Sequence, residues 1–275
     1  MSPLKTALVT GASRGVGKGI ALGLGEAGAA VYITGRTVEE GVSAANLPGT
    51  IQQTAEEVTG LGGKGIAVCC DHRSDQQVRA VFERIQAEED RLDLLVNNVW
   101  GGYEHFTNGT EFWKESGFWT SPVSRWDAMF SAGVRSHYVC SALASPTMVA
   151  QGNGLIVNIS SFAAQLDNKG VAYAVAKNAT DKMAACMANE LRQHNVAVIS
   201  LYPGLVRTES VLQSDFDLSN SESPQFIGRT VAALADDPHI MDKSGQILIA
   251  AQLAHEYGFT DVDGKQPQPL KLEEI

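Results

Sequence analysis

The sequence has few cysteines, no block of basic residues and no long apolar run, and each shortage closes off a class of protein. Its four cysteines, Cys69, Cys70, Cys140 and Cys186, make neither a C-x-x-C pair nor a regular framework. They read as reduced thiols and predict a cytoplasmic location. The formal net charge is −10, with no cluster of lysines or arginines along the 275 residues. A nucleic-acid partner needs a basic footprint, so the charge argues against one and leaves small molecules. The most apolar helical stretch, 138–150, contains Pro146 and falls short of the roughly 20 residues that cross a bilayer. A strand-like run starts within a few residues of Met1, where a signal peptide would need an apolar segment. Neither a membrane span nor secretion is expected. None of the six histidines stands at ligand spacing from another histidine or a cysteine, so no metal site is predicted.

What is present is a regular alternation. Short β-branched runs at 5–10, 30–34, 64–70, 92–97, 155–160, 196–202 and 246–250 are separated by helical patterns at 15–27, 51–61, 75–86, 124–149, 173–194 and 222–234. Strands of near-continuous apolar character alternating with helices predict an α/β fold: one doubly wound parallel sheet of about seven strands, Rossmann-like, with helices on both faces. One domain over 1–275 accounts for the chain. Two segments break the rhythm. An aromatic insertion at about 100–122 holds Trp100, Tyr103, Phe106, Phe112, Trp113, Phe118 and Trp119, and an irregular extension occupies about 252–275. A loop this long in a compact domain is functional or disordered, and its aromatic content argues against disorder.

The first strand runs into Thr10-Gly11-Ala12-Ser13-Arg14-Gly15-Val16-Gly17 and then a helix. Glycines let a backbone turn closely around a pyrophosphate, and a helix N-terminus offers it unpaired N–H groups. A P-loop is ruled out, because Gly17-Lys18 is followed by Gly19 rather than by Ser or Thr. The second strand ends Thr34-Gly35-Arg36, with no carboxylate before Glu39. A carboxylate there would hold the ribose diol of NAD, whereas an arginine pairs with the 2′-phosphate of NADP. Arg36, with Arg14, therefore favours NADP(H), with NAD(H) as the alternative. The fifth strand ends at Ser160, and Tyr173 and Lys177 follow four residues apart on one helix face. An ammonium beside a phenol favours the phenolate, which suits the phenol to proton transfer.

The spacing Gly-x-x-x-Gly-x-Gly, the run Asn97-Asn98-Val99-Trp100, the Ser160/Tyr173/Lys177 set and Pro203-Gly204-Leu205-Val206-Arg207-Thr208 together resemble the short-chain dehydrogenase/reductase family. The resemblance spans nearly the whole chain. It implies that Ser160, Tyr173 and Lys177 are catalytic, with Ser160 holding the substrate oxygen, Tyr173 giving it a proton and Lys177 tuning Tyr173 and bonding the nicotinamide ribose. It further implies cofactor contacts at Gly11, Ser13, Arg14, Gly15, Val16, Gly17, Asp71, His72, Asn98, Pro203, Gly204, Val206 and Thr208, with Asp71 and His72 at the adenine. The expected reaction is reduction of a ketone by NADPH, bulky or steroid-like ketones included. Trp100, Phe106 and Trp113 would wall the substrate pocket, the alternative being a loop that packs on itself or on another subunit. A homodimer or homotetramer is implied.

Two departures from the family pattern stand out. Trp100 takes the place of a glycine, and Gly133 stands where many members carry an asparagine that positions a proton-relay water. A backbone carbonyl could carry the relay, His137 could substitute, or turnover could be slow. Two alternatives to the reductase stay open: a catalytically weak dinucleotide-binding sensor, which Gly133 favours, and an NAD-linked alcohol dehydrogenase, which Arg36 opposes.

Overall fold

The computed structural model describes residues 5–41, 47–102 and 117–271. The apolar runs become strands, since β-branched side chains pack well on a pleated surface covered from both sides. These are β1 Thr6–Val9, β2 Ala30–Gly35, β3 Lys64–Cys69, β4 Leu94–Asn97, β5 Gly154–Ile159, β6 Val196–Tyr202 and β7 Ile247–Ile249. All pair in parallel in one sheet of order β3-β2-β1-β4-β5-β6-β7. The doubly wound, Rossmann-like fold expected from the alternation is the one observed.

Successive residues of a strand face opposite sides of a sheet, and the two hydrophobic clusters follow that rule. Val9, Ile33, Val96, Val157 and Ile199 pack under α1 (Gly15–Glu26), α2 (Ile51–Gly60) and α7 (Pro224–Asp236). Leu8, Tyr32, Leu95, Ile156 and Val198 pack under α3 (Asp75–Glu89), α5 (Ser136–Gln151) and α6 (Val171–Leu191). Helix α1 lies against α7 at contact distance: a Cβ on Gly19 would stand 2.0 Å from the Pro224 carbonyl carbon, and one on Gly23 would stand 2.3 Å from that of Gly228. Because β1 has β2 on one side and β4 on the other, its crossovers diverge. The crevice beyond its carboxyl end is where this topology binds ligands.

Two expectations need correction. The single helix expected at 124–149 is three pieces: α4 (Val123–Ala128), a π-helical segment Met129–Arg135, and α5. Such i→i+5 turns gather at functional sites, and this one contains Gly133. The chain after β7 is not irregular from the start: α8 (Ile240–Lys243) lies before that strand, and α9 (Ala250–Tyr257) follows it directly and reaches into the extension expected from about 252. Helix α9 forms because Ala250, Leu253 and Ala254, three and four residues apart, are buried together in the first cluster.

Candidate active site

The glycine turn is shaped by what presses on it. Gly11 and Gly15 have φ of +68° and +57°, the left-handed region that costs a glycine nothing. A Cβ on Gly11 would lie 2.7 Å from Val99 Cα, and one on Gly17 would lie 2.4 Å from Asn98 Nδ2. The end of β4 is therefore the brace of the turn. Asn98 Nδ2 donates to the carbonyls of Thr10 (2.9 Å) and Gly11 (3.0 Å), and the Asn98 N–H donates to Thr10 Oγ1 at 2.9 Å. Asn98, expected to meet the cofactor, has its side chain engaged in holding the cradle. Ser13 is buried and Val16 half-buried in the same turn.

The cradle takes an anion. The Gly15 N–H donates to the Glu209 carboxylate at 3.0 and 3.3 Å, as expected for negative charge at a helix N-terminus. A dinucleotide pyrophosphate suits the same donors, so the residues present fit the cofactor that the sequence implies. Glu209 itself carries no sequence signal beyond its position after Thr208.

At the end of β2, Arg36 is exposed, and its charge acts on both Arg14 and Asp71. Arg14 is tied down: its guanidinium donates to the carbonyls of Pro48 and Gly49, both at 2.9 Å, and burial holds its pKa below the usual arginine value. Asp71 and His72, expected as neighbours at the adenine, part company. Arg73 forks onto the Asp71 carboxylate at 2.7–3.2 Å and holds its pKa down to about 2. His72 turns inward, 3% exposed. Thr34 Oγ1 donates to the Val9 carbonyl, so His72 Nε2, 2.7 Å away, donates to Thr34, and Nδ1 accepts from the Cys140 thiol at 3.5 Å. Burial pushes His72 down to about 4, and a neutral ring is what this internal relay requires. Both of its ring nitrogens are taken, so its side chain has nothing to offer an adenine.

Ser160, Tyr173 and Lys177 meet at the carboxyl end of β5. Ser160 is buried and its Oγ donates to the Lys177 carbonyl at 3.3 Å, while Lys177 Nζ donates to the Ile159 carbonyl at 3.1 Å. Tyr173 is half-buried one turn earlier on α6. One turn later comes Asp181, missed in the sequence although the spacing 173, 177, 181 puts all three on one stripe. Asp181 accepts from the buried Tyr202 hydroxyl, and burial raises its pKa. Desolvation lowers Lys177 to about 7 against the opposing pull of Asp181. Trp100, expected in the substrate wall, lies on Lys177 and Tyr173. Its ring centroid is 3.8 Å from Lys177 Nζ, and it meets Tyr173 edge-on at 5.5 Å. Phe106 and Trp113 lie outside the described residues, while Phe118 and Trp119 are exposed, 67% and 74%.

The loop after β6 is held from behind. Gly204 N–H donates to the buried Glu222 carboxylate at 2.8 Å, and burial raises Glu222 to about 7. Arg207 bonds Ser221 and Asp261, and Asp261 also accepts from the Ser223 N–H at 2.8 Å. The C-terminal extension thus clamps the segment carrying Pro203, Val206 and Thr208, a role with no signal in the sequence. Thr208 Cγ2 stands 3.6 Å from where a Cβ on Gly15 would lie, so this loop closes over the N-terminus of α1.

Likeness to known proteins agrees with this geometry. The chain is 41% identical over 283 residues to mouse dehydrogenase/reductase SDR family member 1, covering 96% of the chain and 86% of the mouse protein. Among solved structures it resembles a 7α-hydroxysteroid dehydrogenase complexed with NADH and 7-oxo glycochenodeoxycholic acid, with TM-score 0.73, 26% identity and 95% and 94% of the two chains covered. It also resembles a metagenomic short-chain oxidoreductase complexed with NADP, with TM-score 0.69, 29% identity and 89% and 96% covered. The family model for short chain dehydrogenases matches residues 5–217, from β1 through the loop that follows β6. The glycine turn, the tyrosine and lysine of α6 and the parallel sheet beneath them therefore have one origin: the chain belongs to the short-chain dehydrogenase/reductase family of oxidoreductases.

Proposed function

We propose that the protein is an NADPH-dependent carbonyl reductase that acts on ketones, bulky and steroid-like ones included, through Ser160, Tyr173 and Lys177. The observation that carries the reading is the placing of Ser160 and Lys177 at the end of β5, with the Tyr173 ring centroid 5.7 Å from Lys177 Nζ, beside a glycine turn that takes an anion. A reduced nicotinamide, when bound, supplies hydride to the carbonyl carbon. Ser160 releases its long bond to the Lys177 carbonyl and donates to the substrate oxygen, where negative charge develops. The Tyr173 phenol gives that oxygen its proton, and the Lys177 ammonium stabilises the phenolate left behind. Arg36, exposed and within electrostatic reach of Arg14, supports the choice of NADP(H) over NAD(H). The 7-oxo steroid bound to one structural relative supports the substrate class.

The four free thiols support a cytoplasmic protein, and among the described residues no helix is long and apolar enough to cross a membrane. Exposed Trp126, Tyr138, Val171 and Val175 on α4, α5 and α6 support a homodimer or homotetramer closed through those helices. The test is fluorescence titration with NADPH and NADH, then loss of cofactor absorbance with aryl and cyclic ketones. Tyr173→Phe is expected to abolish turnover and leave NADPH binding intact. NADPH binding without consumption on any ketone would instead favour a dinucleotide sensor, and tighter NADH binding would overturn the role given to Arg36.

A further inference from the structure

Three close approaches join the exit of β4 to the end of α4 and the π-helical segment. A Cβ on Gly133 would lie 2.6 and 2.7 Å from two carbons of the Trp100 indole, one on Gly101 would lie 2.6 Å from the Ala128 carbonyl oxygen, and one on Gly102 would lie 2.7 Å from Met129 Cγ. The strand exit and the helix are thus fitted to each other, and among the described glycines it is Gly133 whose missing side chain admits the indole. On its other side the indole meets Lys177 and Tyr173. We propose that Trp100 is the positioning residue of the proton-transfer pair: its indole takes the space left open by Gly133, seats the Lys177 ammonium on its face and sets the Tyr173 ring with its edge. The inference rests on the reductase reading for what Lys177 and Tyr173 do, and on geometry alone for where Trp100 holds them.

The physical need is plain. Lys177 is buried, and among the described residues its Nζ donates one hydrogen bond, to the Ile159 carbonyl. An ammonium in such a place requires further stabilisation, and an indole face within about 6 Å provides it through its quadrupole. The charged or titratable groups around Nζ are Asp181 and Tyr173 on α6 and His137 on α5. His137 cannot take over: it is fully buried, donates Nε2 to the Val99 carbonyl at 3.0 Å, and its pKa falls to about 3. A neutral ring fixed to the same strand exit helps hold Val99 and Trp100 in place rather than supplying charge.

The experiment compares Trp100→Gly, Trp100→Phe, Gly133→Ala and the double variant Trp100→Gly/Gly133→Ala. Each variant is checked first by circular dichroism and by NADPH affinity, both expected to stay near wild type. Trp100→Gly is expected to lower kcat on an aryl ketone about tenfold and to move the midpoint of its pH profile, and Trp100→Phe to recover most of both. Gly133→Ala is expected to reproduce Trp100→Gly, because the new methyl displaces the indole, and to add nothing in the double variant. Additive effects, or a Trp100→Gly enzyme with the wild-type kcat and pH profile, would overturn the proposal. A second readout needs no turnover: the Trp100 part of the fluorescence, taken as wild type minus Trp100→Phe, should titrate with pH and cease to do so in Lys177→Met. If wild type turns over no ketone, the reductase reading fails by itself, and this titration then decides the seating of Lys177; a flat titration in wild type refutes it.

Discussion

Replacing Lys177 by methionine should make the protein more stable near pH 6, and less so as the pH rises. The two side chains are close in length and volume, so the packing around position 177 is retained while a buried charge is removed. Burial lowers Lys177 to about 7, well under the roughly 10.4 of a lysine in an unfolded chain. A cation whose folded pKa is depressed destabilises the fold by its full amount below the folded pKa. Between the folded and unfolded values the unfolded state binds more protons, so wild-type stability rises with pH there. The methionine variant has no such slope. Since one pH unit across that window is worth about 1.4 kcal/mol, the advantage of Lys177→Met should shrink by at most about 3 kcal/mol between roughly pH 7 and pH 9. Exchanging a buried ion for an apolar residue of similar volume stabilises by up to about 1–4 kcal/mol. Against this stand the lost bond to the Ile159 carbonyl and the lost face of Trp100, together on the order of 2 kcal/mol. A gain of about 2 kcal/mol near pH 6, falling to nothing or reversing near pH 9, is the expected balance.

Urea unfolding of both proteins across that pH range measures it, and because all other groups are shared, their titrations cancel in the difference. A difference that is flat with pH would show that Lys177 does not change charge there. A variant less stable than wild type near pH 6 would show that the contacts of the ammonium outweigh its desolvation. Either result would refute the argument from burial.

Three further outcomes follow from named contacts. Glu209→Gln replaces a charged acceptor on the Gly15 N–H by a neutral one and should weaken that bond by about 1 kcal/mol, tightening the dinucleotide about fivefold in a fluorescence titration; unchanged or weaker binding would show that Glu209 does not compete with the pyrophosphate. Arg36→Leu should weaken NADPH by about 10- to 100-fold and leave NADH nearly unchanged, since a charge-assisted pair to a 2′-phosphate is worth about 1.5–3 kcal/mol; equal losses for both cofactors would remove Arg36 from cofactor choice. Gly19→Ala drives a methyl to 2.0 Å from the Pro224 backbone and should cost about 3 kcal/mol in denaturant unfolding by forcing α1 from α7; a loss under about 1 kcal/mol would mean the helices separate freely.

The sheet and the turn were legible because their signals are local. Val, Ile and Leu runs mark strands wherever they occur, and a glycine turn between a strand and a helix constrains its own backbone. The tyrosine and lysine of α6 were legible for the same reason, being one helical turn apart. What was not legible depends on pairs far apart in the chain. Nothing near Asp261 says that it will brace Arg207 and Ser223, and nothing near His72 says that Thr34 and Cys140 will take both of its nitrogens. Trp100 and Gly133 show the limit most sharply. Read one at a time, each is a flaw in the family pattern: a bulky residue where the backbone wants a glycine, and a glycine where a side chain is expected. Read together, the void of one is filled by the ring of the other, and the two departures cancel as sterics. Their joint product is an aromatic face against Lys177, which neither position alone could have supplied.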